Sequence, residues 1–399
     1  MEKDVNADGL RGLAAANVVL CHLLISIFPL GFRFLWPGAG VPGPVGMSER
    51  IIALPLLSNF WNGNFPVCIF FVLSGYVLTK KFFATGDLSD LTTKALRRYL
   101  RLTVPIMGSV LLALALMSTG VATSTTVASM TGSSWLAQFW NFTPTVIDAL
   151  QEAAYRAILT GDSRYVTILW TMKIELIGSF IVFGYAPIAP RGMLAVPLFA
   201  VVMLVIAAVV PTSWPLYGGF LAGVHLARME AQQPRWRVAL AVALALVFGS
   251  YDSSPVYAWT TWLSPDFYMR KHLFNILGGI ALVYAVRAGF GARVLSSRPV
   301  QYLGRISYSL YLVHFPLLLT LFCGIYLGLV RMGWTRGAAS AVAIPVTFVV
   351  ACAVASLFQR TFDTWGIALS RRLFPGRLPR DVERDRDARA SPTEPSLSA

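Results

Sequence analysis

Charge is what this 399-residue sequence has least of. Only 13% of its residues are Asp, Glu, Lys or Arg, against roughly 25% in an ordinary soluble domain. With 56% hydrophobic residues and a mean hydropathy of +0.63, one globular core could not bury the apolar surface. That argues against a soluble enzyme and, over most of the length, against disorder. Cysteine is scarce as well. Cys21, Cys68, Cys323 and Cys352 stand in apolar runs without Cys-x-x-Cys spacing, so neither a disulfide framework nor a zinc site is indicated, and all four read as small core residues. No metal is expected. A basic run ahead of the first apolar stretch is also missing, so the N-terminus does not resemble a cleaved signal peptide and the first helix is expected to stay.

What the sequence does have is apolar length. A bilayer core needs about 20 helical residues, and ten stretches approach that length: 10–30, 65–83, 102–120, 166–187, 192–210, 215–230, 237–251, 271–288, 303–329 and 338–360. The expected fold is therefore all-α, a polytopic membrane protein of about ten transmembrane helices, the ninth stretch long enough to tilt or to contain a break. A net charge of +14 would suggest nucleic acid for a soluble protein. Here, with a cytoplasmic N-terminus, most Lys and Arg fall in inside segments, among them Lys80, Lys81, Lys94, Arg97, Arg98 and Arg101. The bias places both termini in the cytoplasm, with membrane lipid rather than nucleic acid as the partner. Residues 1–365 are expected to form the integral-membrane domain, and 366–399 a largely disordered cytoplasmic tail. In the long loops 31–64 and 121–165, aromatic residues such as Trp135 and Trp140 read as interfacial anchors.

Each ionisable residue within a span costs about 2.5–3.5 kcal/mol and calls for a partner. Eleven helical steps bring His22 to within about 20° of the face of Arg11, about 16 Å further along the axis, so the two share a face without touching. Arg98 and Arg101, close to the membrane surface, suit bidentate recognition of phosphate. Lys173 and Glu175 lie about 200° apart and cannot pair with each other; a carboxylate near an imidazole would orient it, and Lys173 is expected to snorkel. Tyr308, Tyr311 and His314 recur every three residues on one stripe. His225 and His272 lack such company and read as structural.

At these residues the sequence resembles the integral-membrane acyltransferases of the third acyltransferase family, which includes bacterial O-antigen and exopolysaccharide O-acetyltransferases. Arg11 to His22 is similar to the family's Arg-x10-His signature, Phe70 to Gly75 to its Phe-Phe-x-x-Ser-Gly segment, and Arg98-x-x-Arg101 to its arginine pair. Trp170 to Glu175 resembles its Trp-x4-Glu segment, and Ser307 to His314 its late Ser-Tyr-x-x-Tyr-Leu-x-His motif. The resemblance implies acyl-CoA, with acetyl-CoA first, as cytoplasmic donor, and a carbohydrate-containing acceptor modified on its hydroxyl. The roles expected are His22 as general base, Glu175 orienting it, and Arg11 positioning the donor or stabilising charge. Arg98, Arg101 and Ser74 would hold the donor, and Trp170, Tyr308, Tyr311 and His314 would line the acceptor side or support the bundle. For a bacterial source, this implies the plasma (inner) membrane. The competing reading is a multi-span transporter or flippase for a glycan or lipid-linked substrate.

Overall fold

A computed structural model describes residues 4–375, and within them the only β pairing is one isolated bridge, Gly40 to Ser133. The principal helices are α1 (Val5–Ile27), α2 (Asn64–Thr85), α3 (Leu88–Ser118), α4 (Trp170–Ile188), α5 (Ala195–Val209), α6 (Trp214–Leu226), α7 (Arg235–Gly249), α8 (Phe267–Arg287), α9 (Arg298–Leu317), α10 (Cys323–Arg331), α11 (Arg336–Phe358) and α12 (Thr364–Leu373). All ten expected stretches are helical. Seven helical segments of the described residues are long and apolar enough to cross a membrane. α6 and α7 fall short, at 13 and 15 residues, and α8 carries Arg270, Lys271 and His272 in its first turns. The break anticipated in the ninth stretch is a π turn, Leu318–Phe322, just after Pro316. Proline has no N–H to donate to the preceding turn, and a wider turn accommodates its ring.

The bundle is held by backbone contact where side chains are smallest. α1 and α9 pack closely because Gly12 faces Gly304: a Cβ on Gly12 would overlap the Gly304 nitrogen, and one on Gly304 would overlap the Asp8 carbonyl. Gly75 of α2 and Gly223 of α6 allow the same approach between those helices. Between apolar helices in lipid, where no hydrophobic force drives association, such small-residue contacts supply the packing energy. α5 is the opposite case, with only 6% of its apolar window buried, against 61% for α1, so its face belongs to lipid. All four cysteines are free and buried. Helix α12 continues past the boundary expected at 365, with Gly366 packed against Val104 and Pro105 of α3. The rest of the expected tail, from residue 376, lies outside the described residues.

Candidate active site

Two cavities adjoin inside the bundle and share Val67, Thr171 and Tyr311 in their walls. One, of about 290 Å³, is lined by Arg11, Arg98, Arg101 and Arg305, against which stand only two carboxylates, Glu175 and Asp363. The other, of about 160 Å³, is lined by His22 and by aromatic rings that include Trp135, Phe139 and Trp170. Arg11 and His22, expected to share a face without touching, open onto different chambers.

In the arginine chamber, three helices meet at Glu175. The Arg98 guanidinium of α3 pairs with its carboxylate. The same guanidinium donates through Nε to Ser179 Oγ at 2.9 Å, one turn along α4. Ser74 Oγ of α2 donates to Glu175 Oε1 at 2.7 Å. A buried carboxylate is tolerable when opposite charge and hydrogen bonds fill its lone pairs, and Glu175 has both. Arg11 of α1 lies within electrostatic range of Glu175 and Arg98. Tyr308, expected on the acceptor side, lines this chamber instead, its hydroxyl donating to the Leu102 carbonyl at 3.2 Å. Four arginines facing two acids leave an excess of positive charge suited to a polyanion.

In the histidine chamber, the partner of His22 is not Glu175, whose hydrogen bonds go to Arg98 and Ser74, but His314. His22 Nδ1 and His314 Nε2 lie 2.9 Å apart, across 292 residues of sequence, and His314 Nδ1 lies 3.1 Å from the Leu310 carbonyl oxygen. That oxygen can only accept, so His314 Nδ1 carries a proton, and its Nε2, in the neutral ring, accepts one from His22 Nδ1. The tautomers follow from the geometry: His22 Nε2 is left with its lone pair and no protein partner among the described residues. The rings of His22 and His314 are nearly coplanar and meet edge to edge through that hydrogen bond, with centroids 5.2 Å apart and planes within 8°, and Trp135 stacks against His22 at 5.2 Å and 18°. Trp135 is 5% exposed, so it packs on the imidazole rather than anchoring the interface. Trp140 likewise turns inward, its Nε1–H donating to the Tyr165 carbonyl at 2.8 Å.

Between the chambers stands Tyr311. Its hydroxyl donates to the Ile168 carbonyl at 2.7 Å and lies 2.8 Å from Thr171 Oγ1, closing the passage from arginines to imidazole. Sequence reasoning did not reach Thr171 or Lys271, and His272, read there as structural, lines the same chamber as His22. His225 bonds Tyr185 at 2.8 Å, and Lys173 reaches outward to the Thr160 carbonyl at 3.2 Å.

Comparison with known proteins finds acyltransferases. Acyltransferase R4 of Phoma sp. is 23% identical, covering 80% of this chain and 83% of its own length. Acyltransferase clz18 of Cochliobolus lunatus is 24% identical, with 78% and 82% covered, and O-acetyltransferase PaAT-1 of Phomopsis amygdali is 26% identical, with 79% and 72% covered. These relatives are fungal, so a bacterial inner-membrane placement has no support. No solved structure matches the chain. The family model described as an acyltransferase domain matches residues 4–359, and the chain belongs to that family, the third family of membrane acyltransferases.

Proposed function

We propose that the protein moves an acyl group, acetyl in the simplest case, from cytoplasmic acyl-CoA to a hydroxyl of a carbohydrate-containing acceptor, with His22 as the general base. The observation that carries this reading is the lone pair of His22 Nε2, held by the chain His22, His314 and the Leu310 carbonyl beside a passage to four arginines. Arg98, Arg101 and Arg11 would bind the donor phosphates, with Ser74 and Glu175 keeping the Arg98 guanidinium in place. The thioester arm then has to part Tyr311 from Thr171 to reach the imidazole. His22 Nε2 takes the acceptor hydroxyl proton as that oxygen attacks the thioester carbonyl. Collapse of the tetrahedral intermediate breaks the carbon–sulfur bond, and the imidazolium returns the proton to the departing thiolate, giving an ester and the free thiol. Trp170 and Trp135 offer faces on which a sugar ring stacks.

The excess of Lys and Arg in one set of loops supports a cytoplasmic donor side and cytoplasmic termini. The family match favours this enzyme over the transporter reading that many polar spans allow. The test is to incubate membranes bearing the chain with labelled acetyl-CoA and an extract of the producing cells. Labelled ester that hydroxylamine releases is the expected result. Acetyl-CoA consumption with no ester, or none at all, would overturn the proposal.

A further inference from the structure

The histidine chamber contains one charged side chain, and it is not near the base. Lys271, in the first turns of α8, is 4% exposed and lines the cavity. Its ammonium donates one hydrogen bond, to the Leu35 carbonyl, of the three available to it. It forms no ion pair with any described residue, and no Asp or Glu lines that chamber. The groups within its electrostatic reach are Cys21, Cys68 and Asp252. The Asp252 carboxylate is itself engaged by the Ser254 backbone N–H at 2.9 Å. Among titratable groups only His314 acts electrostatically on His22, so Lys271 sits apart from the reacting imidazole. A second unsatisfied group adjoins it: His272, on the same wall, has a buried Nδ1 without a hydrogen-bond partner. An ammonium buried with one hydrogen bond, the Phe267 ring 5.8 Å away and no counter-charge is costly, and a charge so placed calls for a partner.

We propose that Lys271 is the anchor for an anionic group on the acceptor, a carboxylate or a phosphate, with the aromatic walls holding the remainder of the molecule. The substrate class is then an acidic alcohol, such as an acidic sugar or a hydroxy acid, rather than a neutral glycan. This rests on the acyltransferase reading and narrows it.

The test compares esters accumulating in cells that carry the intact chain with those in cells carrying His22→Ala. The ester lost in the variant should bind an anion exchanger at neutral pH, with retention abolished by phosphatase if the group is a phosphate and by carbodiimide amidation if it is a carboxylate. A neutral ester overturns the inference and leaves the enzyme intact. With the purified ester's parent alcohol, Lys271→Gln should raise the acceptor KM about ten- to hundredfold, the loss of one charge-assisted hydrogen bond, while the acyl-CoA KM stays within about twofold and Lys271→Arg recovers part of the affinity. An unchanged acceptor KM in Lys271→Gln also overturns it. If intact cells form no ester absent from the variant, the acyltransferase reading fails and this inference falls with it.

Discussion

The two chambers solve the problem of polarity in lipid in opposite ways. The arginine chamber keeps full charges and balances them: Arg98 and Glu175 are each 12% exposed and are joined by Ser74 and Ser179 across three helices. The histidine chamber keeps its reacting group neutral, with one backbone carbonyl fixing the tautomers of two hydrogen-bonded rings. The difference matches what each is proposed to do. A site for a polyanion benefits from permanent charge, whereas a base must present a lone pair, and a hydrogen-bonded neutral imidazole presents one without the cost of burying an ion. Tyr311 and Thr171 mark the border between the two regimes.

The comparison breaks most visibly at His22. His22→Ala should lower acetyl transfer by about 10²- to 10⁴-fold while leaving acyl-CoA affinity unchanged, read by steady-state transfer and by donor binding to the same membranes. The arginine chamber should respond the other way. Arg98→Ala leaves Glu175 buried without its counter-charge and should cost about 3–5 kcal/mol of stability, measured as a fall in thermal unfolding temperature. Replacing both partners, Arg98→Met with Glu175→Met, should restore stability and still fail to bind acyl-CoA; recovered binding would reduce the pair to a structural clamp. The smallest effect belongs to the border. Tyr311→Phe keeps the ring but removes one of two hydroxyls that donate to the Ile168 carbonyl, Thr171 being the other at 3.0 Å, a loss of about 0.5–1.5 kcal/mol. It should raise acceptor-independent acyl-CoA hydrolysis a few-fold by opening the passage, an effect visible in the ratio of hydrolysis to transfer.

Much of this was legible in the sequence, and the gaps have a physical cause. Helical periodicity locates a residue on its own helix, so the ten apolar stretches and the shared face of Arg11 and His22 could be read directly. Periodicity carries no information about which helix stands opposite. The pairing of His22 with His314 depends on Gly12 meeting Gly304, a contact between residues far apart in the chain, and without it Glu175 was the natural acid to assign to the imidazole. Trp135 sits in a loop, where an aromatic residue between two spans has the composition of an interface anchor, and only the fold back over α1 brings it onto His22. Lys271 was passed over because its helix reads as weakly apolar at that end, and His272 read as structural because nothing in its own helix shows which residues stand opposite. Asp363 lay at the boundary of the expected tail, yet the helix continues through it and contributes it to the arginine chamber.

The central claim is that His314 acts only through His22, and a double-mutant cycle tests it directly. His314→Phe alone should reduce acetyl transfer about ten- to hundredfold, in the range seen when the partner that orients a functional histidine is lost, with His314→Gln, which can still accept the Nδ1 proton, recovering part of it. In a His22→Ala background, His314→Phe should cost nothing further, because the residues of one unit do not contribute additively. Two independent losses that multiply would contradict the account.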